Sequence, residues 1–284
     1  MTQLLCCVDA SGYADNICIN AAWAAEHLNA RIELLHVQKP TSAYKVDGFD
    51  RSGFIGLGAK SQLYDTLAKL DSERGVLEQE KGRAVLAHCT QLLNEMGYDN
   101  VTSIHERGDV AELVHAHEQE SDMIFVGKRG EEARINADFL GAQLEKIARA
   151  TTKPLFIVSA HVRPIRKFAI AYDGGDNVRK ALDFLKTNNL CRNLPCHIFT
   201  VKMGDEVVAM DDVIFELRES GYEVIPHILR GDNLAETVSQ FVKQEKIDLM
   251  LAGAYTRKGF KRIMNPSRIN DMMRDCHIPF ILFR

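Results

Sequence analysis

A chain of 284 residues with 46% hydrophobic and 26% charged residues holds apolar material for two packed cores and is not biased toward disorder. Its net charge of −4 argues against a nucleic-acid partner, which calls for a basic face, and no apolar run approaches the ~20 residues of a membrane span. Seven cysteines, odd in number and scattered, fit a reducing compartment, so the cytoplasm is expected.

The N-terminal stretch MTQLLCCVDASGYAD has no basic segment ahead of its apolar run, which excludes a typical signal peptide. Leu4–Val8 reads as a first strand, and Cys6 and Cys7 within it point to opposite faces. A helical pattern follows through Ala21, Ala22, Ala24 and Leu28. Ile32–Val37, Ser103–Glu106, Met123–Val126 and Leu155–Val158 read as strands two to five, with helical spacing such as Leu86, Cys89, Leu93 and Met96 between them. The second half repeats the order through Phe168–Tyr172, Ile198–Val201, Glu223–Ile228, Leu249–Ala252 and Phe280–Phe283. Alternating strands and helices predict βαβ units around a parallel sheet, an α/β fold.

The halves also match in sequence. VDASGYADN from Val8 aligns with YDGGDNVRK from Tyr172, SDMIFVGKRG with IDLMLAGAYT, and TTKPLFIVS with CHIPFILFR. ERGDVAELV aligns with LRGDNLAETV, so both Arg-Gly-Asp triplets stand between a strand and a helix, where aspartate serves as an N-cap. This duplication predicts an N-terminal domain over 1–160 and a C-terminal domain over 161–284. The last strands, Leu155–Val158 and Phe280–Phe283, are apolar edges that should cover each other, within one chain or in a homodimer.

Only the first half carries an insertion, Lys39–Glu80. Gly53, Gly56 and Gly58 lie in it without the spacing of a dinucleotide fingerprint, and from Ala59 an amphipathic helix should begin with Leu63, Leu67 and Leu70 on one face. The segment reads as a loop or lid leading into an extended helix.

The stretch FVGKRGEEARINADFLGAQLEK places Gly127, Lys128, Arg129 and Gly130 where strand four ends, with Gly141, Ala142 and Gln143 at the start of the next helix. Open parallel sheets bind ligands beyond the carboxyl ends of their strands, and a helix N-terminus favours an anion. Asp9, at the end of strand one, is placed to accept hydrogen bonds from ribose hydroxyls or, alternatively, to serve as a helix N-cap or turn residue.

These features resemble the universal stress protein family, whose nucleotide-binding members carry Gly-x-x-Gly, about nine residues, then Gly followed by Ser or Thr. The resemblance spans both halves. It implies two tandem doubly wound domains with five parallel strands in the order 3-2-1-4-5, and an adenine nucleotide, ATP or else ADP or AMP, with or without Mg2+. The site it implies comprises Val8, Asp9, Val37, Gly127, Lys128, Arg129, Gly130, Gly141, Ala142 and Gln143. Ten residues, Glu131–Leu140, replace the usual nine, and Ala142 stands in place of the hydroxyl residue. In the second half Thr256 and Pro266 occupy two of the glycine positions, while Gly253, Ser267 and Asp173 survive, so that site is expected to be disabled.

No nucleophile elbow is present, and His115 and His117, two apart on a helix, should face different ways. Slow ATP hydrolysis is the enzymatic alternative, and a nucleotide-free interaction scaffold is the non-enzymatic one. Cys191, Cys196 and His197 match no common zinc spacing, so no metal is expected. The basic cluster Arg257, Lys258, Lys261 and Arg262 reads as a solvated helix face.

Overall fold

The computed structural model describes residues 2–39, 57–130, 142–202, 208–253 and 266–284; the side chains of 57–65, 142 and 266–268 are outside the description. The first half contains β1 (Thr2–Cys7), α1 (Ala14–Leu28), β2 (Ala30–Gln38), α2 (Leu57–Glu95), β3 (Val101–Arg107), α3 (Val110–His117), β4 (Met123–Gly127), α4 (Ala142–Ala150) and β5 (Leu155–Val158). The second contains β6 (Phe168–Ala171), α5 (Asp176–Thr187), β7 (Cys196–Lys202), α6 (Asp211–Glu219), β8 (Val224–Arg230), α7 (Leu234–Glu245), β9 (Leu249–Gly253), α8 (Pro266–Asp275) and β10 (Phe280–Phe283). Every expected strand is found, with ends shifted by at most two residues.

All ten strands share one sheet in the order β3-β2-β1-β4-β5-β10-β9-β6-β7-β8. Read from its outer edge toward the centre, each half has the order 3-2-1-4-5. Pairing is parallel except at the seam, where β5 and β10 run antiparallel with Phe280 opposite Ile157, Ile281 opposite Phe156 and Leu282 opposite Leu155. The two apolar edges therefore cover each other inside one chain. Both strands are buried on both faces, which explains their unbroken LFIV and FILF sequences.

Two cores result. α1, α2, α5 and α6 pack on one face of the sheet, and α3, α4, α7 and α8 on the other. Alternation along each strand divides the residues between them. Cys6 enters the first core while Cys7 packs against the second, as their adjacency requires. At the seam Phe125 and Phe156 stack with ring centroids 4.7 Å apart, and Trp23 of α1 tilts against Phe156 at 6.4 Å.

Helix α2 joins part of the insertion to the crossover helix in one run of 39 residues. Its C-terminal part is anchored by Leu86, Cys89 and Leu93. Farther toward its start, Leu70, Val76 and Leu77 are exposed, Leu77 by 64%. The expected docking of Leu70 is thus not found. Leu63 lies among the side chains outside the description, as do residues 40–56, which include Gly53 and Gly56.

The Arg-Gly-Asp triplets serve the chain's own turns, with one difference. Asp109 caps α3 by accepting the N–H groups of Ala111 at 2.9 Å and Glu112 at 3.4 Å. In the second half the cap of α7 is Asn233, one residue beyond Asp232, which accepts from Glu236 N–H at 3.4 Å. Asp109→Ala should destabilise the chain by about 1 kcal/mol in urea denaturation, the typical loss of an N-cap.

Candidate functional site

The site is built from the carboxyl ends of β1 and β4. Val8, just past β1, is buried. Its N–H donates to Leu35 O and its carbonyl accepts from His36 Nδ1, each at 2.9 Å. Since a carbonyl can only accept, the His36 proton sits on Nδ1. Asp9 then turns the chain: its Oδ1 accepts the N–H of Ser11 at 3.0 Å, and Ser11 Oγ accepts that of Tyr13 at 3.3 Å. Asp9 is therefore a turn residue through one oxygen and not the cap of α1, which starts at Tyr13 without a side-chain cap.

That turn brings β1 and β4 loops into contact. A β-carbon on Gly127 would stand 2.9 Å from Tyr13 Cβ, and one on Gly130 would stand 3.0 Å from Asp9 Oδ2. Among the described residues the glycines at positive φ are Gly97, Gly174 and Gly221. Gly127 and Gly130 are thus required by close approach, not by backbone handedness. The sequence motif pointed to the glycines but not to Tyr13, their neighbour.

Arg129 lies half-buried beside the same turn. Burial raises the Tyr13 phenol, and the Arg129 guanidinium opposes that shift. Val37, near the end of the adjoining β2, packs partly buried against the α3–α4 core and sits in register with Glu106 of β3. Gln143 is the second residue of α4, which runs antiparallel to β4 and so starts over its carboxyl end. Its Oε1 is buried and has no hydrogen-bond partner among the described residues. Gly141 falls outside the described residues, and of Ala142 only the backbone position at the start of α4 is described.

Lys128 goes elsewhere. As the residue between Gly127 and Arg129 it was expected among the phosphate ligands, yet its side chain crosses the seam. Its Nζ donates to Met273 O at 2.8 Å and Cys276 O at 2.6 Å, at the carboxyl end of α8, and lies 5.1 Å from the centre of the Phe280 ring. The negative end of the α8 dipole favours a cation there. Burial nevertheless lowers its pKa to about 8. Strand alternation explains the direction, because the backbone of residue 128 still pairs with β5 through its N–H to Val158 O at 3.1 Å.

The second half keeps the turn. Asp173 Oδ1 accepts the N–H of Gly175 at 2.9 Å, as Asp9 does for Ser11, and burial raises its carboxyl above the usual range. A β-carbon on Gly253 would meet Val178 N at 2.7 Å, so the first turn of α5 sits directly on the end of β9. Pro266 opens α8. Proline suits a first helical position but offers no N–H to an anion. Thr256 and the basic cluster Arg257, Lys258, Lys261 and Arg262 lie outside the described residues, as does the Ser267 side chain.

His115 Nδ1 meets Glu118 Oε1 at 2.9 Å and His117 Nε2 meets Glu106 Oε1 at 3.0 Å, so the two histidines do face different partners.

A doubly wound half with a glycine-lined turn at its strand ends agrees with comparison to known proteins. The profile of the universal stress protein family matches residues 1–159, more than half of the chain. The chain belongs to that family. Universal stress protein Slr1230 of Synechocystis is 29% identical over the full length of both chains. A universal stress protein from Archaeoglobus fulgidus has a similar structure, with a TM-score of 0.68 and 15% identity, covering 99% of this chain and 96% of its own. A protein of unknown function from Pseudomonas aeruginosa, PA1789, gives 0.61 at 12% identity, covering 100% and 92%. At these identities the structural likeness concerns fold alone. It extends universal stress protein architecture across the second half, beyond the matched residues, and the repeated strand order agrees.

Proposed function

We propose that this universal stress protein is a stress-response or regulatory factor that binds one adenine nucleotide, ATP or else ADP or AMP, in its N-terminal half. The supporting observation is the close approach of Gly130 to Asp9 Oδ2 where the carboxyl ends of β1 and β4 meet, with Gln143 Oε1 at the start of α4 buried and without a hydrogen-bond partner among the described residues. Gly127 and Gly130 let backbone approach the phosphates, Arg129 supplies a nearby cation, and Asp9 stands at the end of β1, where a carboxylate can accept from a ribose hydroxyl. The α4 N-terminus adds unpaired N–H groups, and Mg2+ would be held by the phosphates rather than by a protein cluster. Among the described residues at this turn none is designated a general base, so we favour binding over turnover.

Calorimetry on nucleotide-stripped protein should give one ATP per chain. A stoichiometry of two would defeat the asymmetry between the halves, and no binding at millimolar ATP would favour the nucleotide-free scaffold. Gly130→Val should weaken ATP binding by tenfold or more, because even its first side-chain carbon meets the Asp9 carboxylate. Unchanged affinity in that variant would move the nucleotide to another place.

A further inference from the structure

The opposite end of the second half holds a cluster that the nucleotide reading does not use. β7 and β8 are the last two strands of the sheet, paired in parallel, and α7 covers one of their faces. His197 of β7 and His227 of β8 both point under α7, where Phe241 lies with ring centroids 6.4 Å from His197 and 4.9 Å from His227. The two imidazoles are stacked within 7° of parallel, with His197 Nδ1 3.0 Å from His227 Nε2. Glu245, the final residue of α7, brings Oε2 to 3.9 Å from His197 Nδ1. These three ligand atoms all lie within 4.8 Å of one another.

We propose that His197, His227 and Glu245 form a binding site for one divalent transition cation of the zinc class. Two imidazole nitrogens bound to tetrahedral zinc at about 2.0–2.1 Å stand about 3.3 Å apart, close to the separation found here. Glu245 closes the remaining distance from the end of a helix, where its side chain is 40% exposed. Two histidines and one carboxylate leave the fourth position to water. Imidazole donors select zinc, cobalt, nickel or copper over magnesium and calcium, which prefer oxygen.

The protonation state fits. Burial pushes both imidazoles below the ordinary histidine value, and His227 lowers His197 further. Metal binding requires neutral imidazole. Lys167 faces the cluster as a like charge, its Nζ donating to Glu245 O at 2.8 Å, while Glu223 and Glu245 oppose it. The cysteines beside His197 in sequence take no part. Cys196 alternates into the other core with Cys191, and burial raises both thiols well above the ordinary cysteine range, beyond easy ionisation. The sequence group Cys191, Cys196 and His197, whose spacing matched no zinc pattern, is thus split by the sheet, and the candidate ligands come from three separate elements.

The full chain, freed of metal by chelator dialysis, should be titrated with Co2+ alone and with Zn2+ alone. The expected result is one ion per chain, a visible Co2+ ligand-field spectrum of four-coordinate type that Zn2+ bleaches, and a Zn2+-dependent rise in melting temperature. His227→Gln, on the edge strand, and Glu245→Gln, at the helix end, should each weaken Zn2+ binding by about tenfold or more. Glu245→Gln keeps the test open if His227→Gln folds poorly. His88→Gln, which removes an exposed histidine paired with Asp15, should leave binding unchanged. No ligand-field spectrum, or Zn2+ affinity unaffected in Glu245→Gln and folded His227→Gln, would overturn the site and leave a simple hydrogen bond between neutral imidazoles.

Discussion

Phe156→Ala should lower the unfolding free energy by about 3–5 kcal/mol, the range for removing a large aromatic ring from a close-packed core. Phe156 is fully buried in β5, stacks on Phe125 of the same half, and stands opposite Ile281 of the other half across the antiparallel seam. Its ring is held between Phe125 and Trp23, neither of which can collapse into the space without moving β4 or α1. Because the seam joins both halves, the loss should appear as one earlier cooperative transition in urea, monitored together by circular dichroism and Trp23 fluorescence. A change under 1 kcal/mol would mean that the seam is not part of the cooperative core.

The second large effect depends on pH. Lys128 releases its proton at about 8 in the folded chain, against the ordinary lysine value of 10.5, which describes the unfolded chain. Between these values the unfolded state binds more protons than the folded state, so stability rises with pH through this window. Below pH 8 both states carry the charge, and the folded state bears the full cost of burying it. Above pH 8 the neutral amine still donates to Met273 O and Cys276 O, and the cost of buried charge fades. Lys128→Met removes this gain and leaves two helix-end carbonyls without their donor. The stability difference between wild type and Lys128→Met should therefore grow by about 2–3 kcal/mol from pH 7.5 to pH 10, at 1.36 kcal/mol per pH unit. Urea denaturation of both proteins across that range measures it, with other titrating groups cancelling in the difference. A pH-independent difference would show that Lys128 keeps its proton throughout.

Much of the fold was legible because it is encoded by local periodicity and written twice. Runs such as LFIV and FILF can only be strands buried on both faces, and helices with apolar residues three and four apart must lie between them. The duplicated segments named corresponding elements in each half, which is why all ten strands were found and the seam between Leu155–Val158 and Phe280–Phe283 could be anticipated. The loop after β4 was recognisable from Gly127 and Gly130, since close backbone approach requires glycine whatever the neighbour is.

What the sequence could not determine involves partners distant along the chain. Lys128 looks like a phosphate ligand beside Arg129, but its acceptors lie 145 and 148 residues away, on a helix of the other half. Asn233 rather than Asp232 caps α7 because the helix start, set by packing, falls one residue later than in the first half. His197 appeared beside two cysteines, yet a strand sends neighbours to opposite faces, and its candidate co-ligands come from β8 and α7. Periodicity and repetition act over a few residues and survive in the sequence. The direction of one buried side chain depends on which distant surface the packed sheet brings against it, and only the tertiary structure decides that.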